Sequence, residues 1–343
     1  MDIIYDEGHR GHAGRFELGA GELVPCFEKP ERAEFVLAAV RRAALGEIES
    51  PARYGVAPVS RVHSEAYLEF LRTAWSEWKA LAGDVDALPL TSPVRHFSDR
   101  VPDSIIGQLG YYSFDTAAPI TEGTWEAATA AVDCSLTALA KIRGGARGAF
   151  ALVRPPGHHA ARDLYGGYCY LNNAAISAQH FVDEARGRVA ILDVDYHHGN
   201  GTQSIFYDRS DVFFTSLHGD PHQEFPFFLG HADERGSGAG EGANQNFPMP
   251  WGTGAETWFE ALDEACRQIE TFRPEVLVVS LGVDTFKGDP ISQFLLESDD
   301  YSRLGERIAR LGRPTLFVLE GGYAVEEIGT NVANVLGAFD AKA

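Results

Sequence analysis

The chain has 343 residues, 45% hydrophobic and 23% charged, a composition that can bury a large core and that rules out disorder and low complexity. Its 29 basic against 49 acidic residues leave a formal charge of −20, the wrong sign for gripping a phosphate backbone through clustered Lys and Arg, so no nucleic acid partner is expected. No apolar run approaches the roughly 20 residues of a membrane span, and Met1-Asp2-Ile3-Ile4-Tyr5-Asp6 has neither a basic start nor an apolar signal core, so a cytoplasmic protein with no membrane partner is expected.

Short apolar, β-branched runs alternate with longer stretches of helical spacing, the signature of a parallel sheet covered by helices. The expected class is α/β. In chain order, strands are expected at 3–5, 150–153, 189–192, 212–217, 276–281 and 315–319, and helices at 125–141, 173–184, 257–271 and 301–311. Between about 81 and 106 the periodicity lapses around Gly83, Pro89, Pro93 and Pro102, while Leu88, Leu90, Val94, Phe97 and Val101 keep the segment apolar. A connection this long in a compact fold is usually functional. The glycine-rich stretch from Gly236 to Gly242 lacks the preceding strand, following helix and Lys of a phosphate-binding loop and reads as a surface loop. Cys26, Cys134, Cys169 and Cys266 are far apart with no CxxC pair, which suggests buried thiols rather than disulfides or a thiolate zinc site.

The segments just past the strands carry the chemistry, because ligands in open α/β sheets sit beyond the carboxyl ends of the strands. The run at 150–153 leads into Arg154-Pro155-Pro156-Gly157-His158-His159, and the run at 189–192 into Asp193-Val194-Asp195-Tyr196-His197-His198. The last three end in Ser216-Leu217-His218, Gly282-Val283-Asp284 and Glu320-Gly321-Gly322-Tyr323. Asp195 and His197, two apart where a strand loosens, can turn to one side and meet Asp284 from another strand. Two carboxylates and one imidazole leave a tetrahedral ion one open position, as in a catalytic zinc site. Two prolines and a glycine stiffen and then turn the backbone before His158 and His159, delivering two imidazoles able to exchange protons near neutrality. Tyr323, after two glycines, is a phenol able to donate to an oxyanion.

These motifs, together with Gly166-Gly167-Tyr168-Cys169-Tyr170-Leu171-Asn172-Asn173 and the continuation Gly199-Asn200-Gly201-Thr202, resemble the zinc-dependent histone deacetylase superfamily over nearly the whole chain. Gly19-Ala20-Gly21-Glu22-Leu23-Val24-Pro25 and Gly107-Gln108-Leu109-Gly110-Tyr111-Tyr112 look most like its bacterial acetylpolyamine amidohydrolases. The resemblance implies an arginase-deacetylase fold, a mostly parallel sheet with helices on both faces, formed by 1–343 as a single deacetylase domain with an insertion at about 81–106. It further implies hydrolysis of small cationic acetylated amines, of the acetylputrescine or acetylcadaverine type, to acetate and free amine.

Residue by residue, the resemblance gives one zinc ion per chain to Asp195, His197 and Asp284, proton handling to His158 and His159, and the substrate carbonyl to Tyr323. Tyr168 and Phe225 would wall the tunnel, and the Gly167 carbonyl would receive the substrate amide. Asp193, Ser216 and Leu217 resemble ligands of a structural potassium ion that also touches Asp195 and His197, while Phe206, Arg209 and Val212 fit a second potassium site through backbone oxygens. Asn200 stands where many histone deacetylases have Asp, so a neutral partner backs the second histidine. Ile106 stands in a region where polyamine hydrolases carry a carboxylate for the distant ammonium, which leaves Glu17 as the candidate for cation recognition. Related polyamine hydrolases build a dimer from the 81–106 insertion, so a homodimer in which one subunit roofs its neighbour's tunnel is expected. A lysine deacetylase acting on acetylated peptides or proteins would use the same chemistry and differ only in access to the metal. Arginase-like hydrolases need a second metal with further carboxylates, where this chain has Gly199 and Phe286.

Overall fold

The computed structural model describes residues 1–19, 21–92 and 100–342. In chain order the elements are β1 (Asp2–Tyr5), β2 (Phe16–Gly19), β3 (Glu22–Pro25), α1 (Glu31–Arg42), β4 (Ile48–Glu49), α2 (Glu65–Ala82), α3 (Ile105–Tyr111), α4 (Thr124–Arg143) and β5 (Gly148–Leu152). Next come α5 (Asn173–Ala185), β6 (Val189–Asp193), α6 (Asn200–Phe206), β7 (Val212–Gly219), β8 (Asn244–Met249), α7 (Ala255–Phe272), β9 (Val276–Leu281), α8 (Ser298–Arg310), β10 (Thr315–Leu319) and α9 (Val325–Lys342). Eight strands form one sheet in the order β4-β1-β5-β10-β9-β6-β7-β8. Every pairing in it is parallel. The class and architecture are those of the arginase-deacetylase fold, an α/β sheet covered on both faces.

Burial explains the strands. β5, β6, β9 and β10 are buried along their whole length, which is why they read as unbroken apolar runs rather than alternating ones. On one face α4 packs against β1, β5 and β10, and α5 against β6 and β9. On the other, α1, α9 and α8 lie side by side, and α7 continues the layer over β6, β7 and β8. Three helix starts show side-chain capping: Ser64 accepts from the Tyr67 N–H at 3.3 Å, Asn172 from Ala175 at 2.9 Å, and Glu297 with Asp300 forms a reciprocal capping box. That box starts α8 three residues before the apolar spacing suggests.

The edges were not expected from the sequence. β4 has two residues, and β8 carries Asn244, Gln245, Asn246 and Pro248, polar groups and a missing donor that only an edge strand tolerates. The hairpin of β2 and β3 is antiparallel and separate from the main sheet. In the segment 81–106, Leu81 and Ala82 close α2, and Ile105 and Ile106 open α3. Ala87 bridges Ile120 in antiparallel fashion, whereas Val94 and Phe97 lie outside the described residues. All four cysteines are free, three of them buried. No described helix is long and apolar enough to cross a membrane.

Candidate active site

Five of the parallel strands, β5, β6, β7, β9 and β10, deliver the loops after them to one end of the sheet. From β6 come Asp195 and His197, from β9 Asp284, and their ligand atoms lie within 4.8 Å of one another in a fully buried cluster. His197 Nδ1 is 3.1 Å from Asp284 Oδ2 and 3.4 Å from Asp195 Oδ1. Burial opposes charge on Asp195, but the His158 and His197 imidazoles outweigh it and hold that carboxyl well below the usual range. Burial and the Asp195 charge together push Asp284 the other way, upward. Two carboxylates that cannot both stay charged in a dry pocket, with an imidazole between them, form a donor set that a divalent cation completes.

The surrounding backbone makes room for this cluster. A Cβ on Gly282 would sit 2.0 Å from Asp195 Oδ2, and one on Gly321 would sit 2.5 Å from both Asp195 Oδ2 and Asp284 Oδ2. The Gly321 N–H donates to Asp195 Oδ2 at 2.7 Å and the Tyr196 N–H to Asp284 Oδ1 at 2.7 Å, fixing both carboxylates in place.

The two histidines are backed differently. His158 Nδ1 meets Asp193 Oδ2 at 2.9 Å, whereas His159 Nδ1 meets Asn200 Oδ1 at 2.6 Å. Burial lowers the affinity of both for a proton, yet the carboxylates of Asp193 and Asp195 override it and hold His158 up to about 10. For His159, burial and the neighbouring His158 and His197 act together and drive it well down. Glu320 braces the turn that carries both, its Oε2 accepting from the N–H groups of Gly157 at 2.7 Å and His158 at 3.2 Å. His158, Cys169 and Glu320 form a second buried trio within 4.8 Å. There, burial pushes the Cys169 thiol far up, so it stays a protonated donor to the Gly167 carbonyl at 3.2 Å rather than a metal ligand.

Tyr323 rides on a turn held from two sides. Its N–H donates to Asp289 Oδ2 at 2.6 Å, and the buried Arg32 donates to the carbonyls of Gly322 at 2.7 Å and Glu320 at 2.5 Å while its guanidinium lies 4.7 Å over the Tyr323 ring. Glu28 joins this turn to the histidine loop: Oε1 accepts from Arg32 Nη1 at 2.9 Å and from Arg154 Nε at 2.5 Å, and Oε2 accepts from Arg154 Nη2 at 2.6 Å. Arg154 donates onward to the carbonyls of His9 at 2.8 Å and His12 at 2.9 Å. Burial works against the Glu28 charge, but the two guanidiniums hold its carboxyl down at about 2.

A cavity of about 430 Å³ opens beside the cluster, lined by His159, Gly167, Tyr168, His197, Phe225 and Tyr323 together with Gly19, Asp115, Ala117, Glu224 and Ile291. Phe225 stands 5.0 Å from His159 and Tyr168 stands 5.4 Å from Tyr323, ring centre to ring centre. His159, His197 and Tyr323 thus meet in one slot, with His158, Asp195 and Asp284 buried beside them.

Residues 26–339 match the family described as histone deacetylase domain. The chain belongs to the histone deacetylase family. It is a deacetylase of that family, and its likeness to individual members runs end to end. It is 57% identical over 340 residues to acetylpolyamine amidohydrolase 2 of Pseudomonas aeruginosa, with 99% of each chain covered. It is 52% identical over 336 residues to acetylpolyamine amidohydrolase of Mycoplana ramosa, with 98% of each covered. The crystal structure of acetylpolyamine aminohydrolase from Burkholderia pseudomallei superposes with a TM-score of 0.95 at 40% identity, covering 99% of both chains.

The structure places the remaining expected residues of this deacetylase unevenly. Gly167, Tyr168 and Phe225 line the cavity. Asp193 stands opposite Ser216 in the sheet register, beside Leu217 and directly before Asp195 and His197. Phe206 and Arg209 flank the turn between α6 and β7, the Arg209 N–H donating to the Phe206 carbonyl at 3.0 Å, and Val212 opens β7. Glu17 departs from expectation. It is buried and absent from the cavity lining, and its oxygens accept from the Tyr168 hydroxyl at 2.9 Å and the Phe27 N–H at 3.2 Å. Its place is behind the cavity wall rather than in the path of a substrate, and burial pushes its carboxyl up to about 7. Ile106 sits on α3 and is 38% exposed. The sequence offered no sign of Asp115, Glu224, Asp289, Glu28 or Arg32, since each also has a partner far away in the chain, such as Gly167 for Asp115, Tyr196 for Glu224, Tyr323 for Asp289, Arg154 for Glu28 and Gly322 for Arg32.

Proposed function

We propose that this chain is a zinc-dependent amidohydrolase that cleaves N-acetylated polyamines of the acetylputrescine or acetylcadaverine type to acetate and free amine. The observation that carries the reading is the cavity: a slot lined by Tyr168 and Phe225 that reaches His197 of the Asp195, His197 and Asp284 cluster and whose lining, among the described residues, has two acidic residues and no Lys or Arg. Full-length likeness to proteins named for acetylpolyamines supports it.

Asp195, His197 and Asp284 fit one zinc ion per chain. Such an ion supplies Lewis acidity, polarising a carbonyl and bringing the pKa of water to about 7. The Gly167 carbonyl receives the substrate amide N–H and Tyr168 and Phe225 orient the alkyl chain. With its Nδ1–H donated to the neutral Asn200 amide, His159 presents Nε2 as the base that takes the proton of the attacking water. His158, backed by the Asp193 carboxylate, keeps its proton and supplies fixed positive charge. The new C–O bond forms as the carbonyl oxygen gains charge beneath the Tyr323 hydroxyl. His159 then returns the proton to the nitrogen as the C–N bond breaks. For Asp193, Asp195, His197, Ser216 and Leu217 we propose a structural potassium ion, with a second at the backbone oxygens of Phe206, Arg209 and Val212.

Turnover of acetylputrescine, acetylcadaverine and acetylspermidine, measured beside an acetyllysine peptide on protein whose zinc and potassium are counted by elemental analysis, tests the reading. One zinc, one or two potassium ions and higher kcat/KM on the polyamines are expected. Faster peptide turnover turns the protein into a lysine deacetylase, and two tightly held transition-metal ions remove the one-zinc site.

The segment 81–106 is proposed as an insertion that joins a homodimer and narrows the neighbour's entrance. Leu90 is 71% and Val101 45% exposed there, apolar surface that association would cover. Light scattering is expected to give a dimer at micromolar concentration and, for Leu90→Glu with Val101→Glu, a zinc-loaded monomer with a raised rate on acetyllysine peptides relative to polyamines. A monomeric parent protein with full polyamine selectivity refutes this.

A further inference from the structure

We propose that Glu224 is the group that recognises the distal ammonium of the substrate, with the Trp251 indole beside it; this rests on the acetylpolyamine reading and specifies how that reading is enforced. Besides the proposed metal ligands, Glu17, Asp115 and Glu224 stand in or around the cavity, and their positions set two of them aside. Glu17 lies behind Tyr168, buried and outside the cavity lining. Asp115 is committed to the backbone: Oδ2 accepts from the Gly167 N–H at 2.5 Å and Oδ1 from the Ala117 N–H at 3.3 Å, so it shapes the loop that carries Gly167.

Glu224 differs in its surroundings. It lines the cavity, half-buried, immediately before the wall residue Phe225. Its Oε1 accepts from the Phe225 N–H at 3.0 Å, and its Oε2 from the Tyr196 hydroxyl at 2.6 Å and the Trp251 indole N–H at 3.1 Å. All three donors are neutral, and no described Lys, Arg or His forms an ion pair with it. A carboxylate has about four lone-pair sites, so three donors fix its position and leave capacity for one more. A partly desolvated carboxylate with no counter-charge, held rigid at the lip of a slot, matches an ammonium carried in on a flexible chain. Trp251, 52% exposed, adds an electron-rich ring next to the same point. Phe225, which lines the cavity, directly follows Glu224, and the buried Tyr196 that holds Glu224 directly precedes the lining residue His197, so the carboxylate is tied to the same wall.

The test compares acetylputrescine with N-pentylacetamide, in which a methyl group takes the place of the ammonium at the same chain length. The parent protein is expected to favour acetylputrescine, and in Glu224→Gln the ratio of the two kcat/KM values is expected to fall about 10- to 100-fold, through KM, in line with loss of a hydrogen bond between charged groups. A merely structural role for Glu224 would slow both substrates alike and leave the ratio in place. Glu224→Asp keeps the charge and draws it back by one methylene, so its preference is expected to move from acetylputrescine towards acetylcadaverine. A ratio and a chain-length order that survive in both variants overturn the proposal while leaving the acetylpolyamine reading standing. A parent protein indifferent to the ammonium overturns both.

Discussion

Asp284→Asn is expected to give a folded chain that retains no zinc and turns over acetylated amines at least about 100-fold more slowly than the parent. The amide keeps an oxygen for the Tyr196 N–H, which Asp284 Oδ1 now accepts at 2.7 Å, so the loop after β6 loses no backbone partner. The substitution removes charge. Without metal that charge is a burden, because Asp195 and Asp284 face each other across a dry pocket and burial with mutual repulsion already pushes Asp284 up. In the proposed zinc site the same charge serves as a ligand. The two effects have opposite signs, and thermal unfolding separates them. In a chelator the variant should be no less stable than the parent, whereas added zinc should raise the melting temperature of the parent far more than that of the variant, since only an ion bound to the folded state stabilises it. A variant that holds one zinc and keeps the parental kcat removes Asp284 from the ligand set.

Tyr323→Phe is expected to lower kcat by about two to three orders of magnitude, the typical cost of one lost oxyanion donor. The ring has its own structural duties: the Arg32 guanidinium caps it at 4.7 Å and the Tyr168 ring packs at 5.4 Å. Phenylalanine preserves both contacts. The hydroxyl has no hydrogen-bond partner among the described residues and lines the cavity, so its removal costs the resting protein little. Zinc content, melting temperature and KM should stay near parental values while kcat falls. Near-normal turnover would take Tyr323 out of the chemistry.

The sequence shows the centre of this molecule better than its margins. Inner parallel strands are buried on both faces, so β5, β6, β9 and β10 announce themselves as continuous apolar runs. The edge strand β8, Asn-Gln-Asn-Phe-Pro-Met, has no such pattern, because one side of it meets water and its pairing partner is supplied by tertiary contact. The same divide runs through the site. Asp195, His197, Asp284, His158, His159 and Tyr323 each stand just past a legible strand, and the structure brings all six together. Glu17 shows the limit: the sequence offers it as the group for a substrate cation, and only the folded chain sets the Tyr168 hydroxyl, 151 positions away, against it. Glu28, Asp115, Asp289 and Glu224 were illegible for the same reason, as their partners lie on other elements or on backbone amides that no side-chain pattern reveals.

The carboxylate of Glu28 has a consequence for how this protein can change over generations. Arg32 secures the Tyr323 turn, Arg154 leads into the histidine pair, and both draw on one buried anion. Exchange of either arginine alone leaves the carboxylate under-neutralised in a place without water, and exchange of the carboxylate strands two cations there. Substitutions at the three positions are therefore coupled rather than additive. Tyr323 and the pair His158 and His159, which lie more than 160 positions apart in the chain, are thereby bound to a common mutational fate.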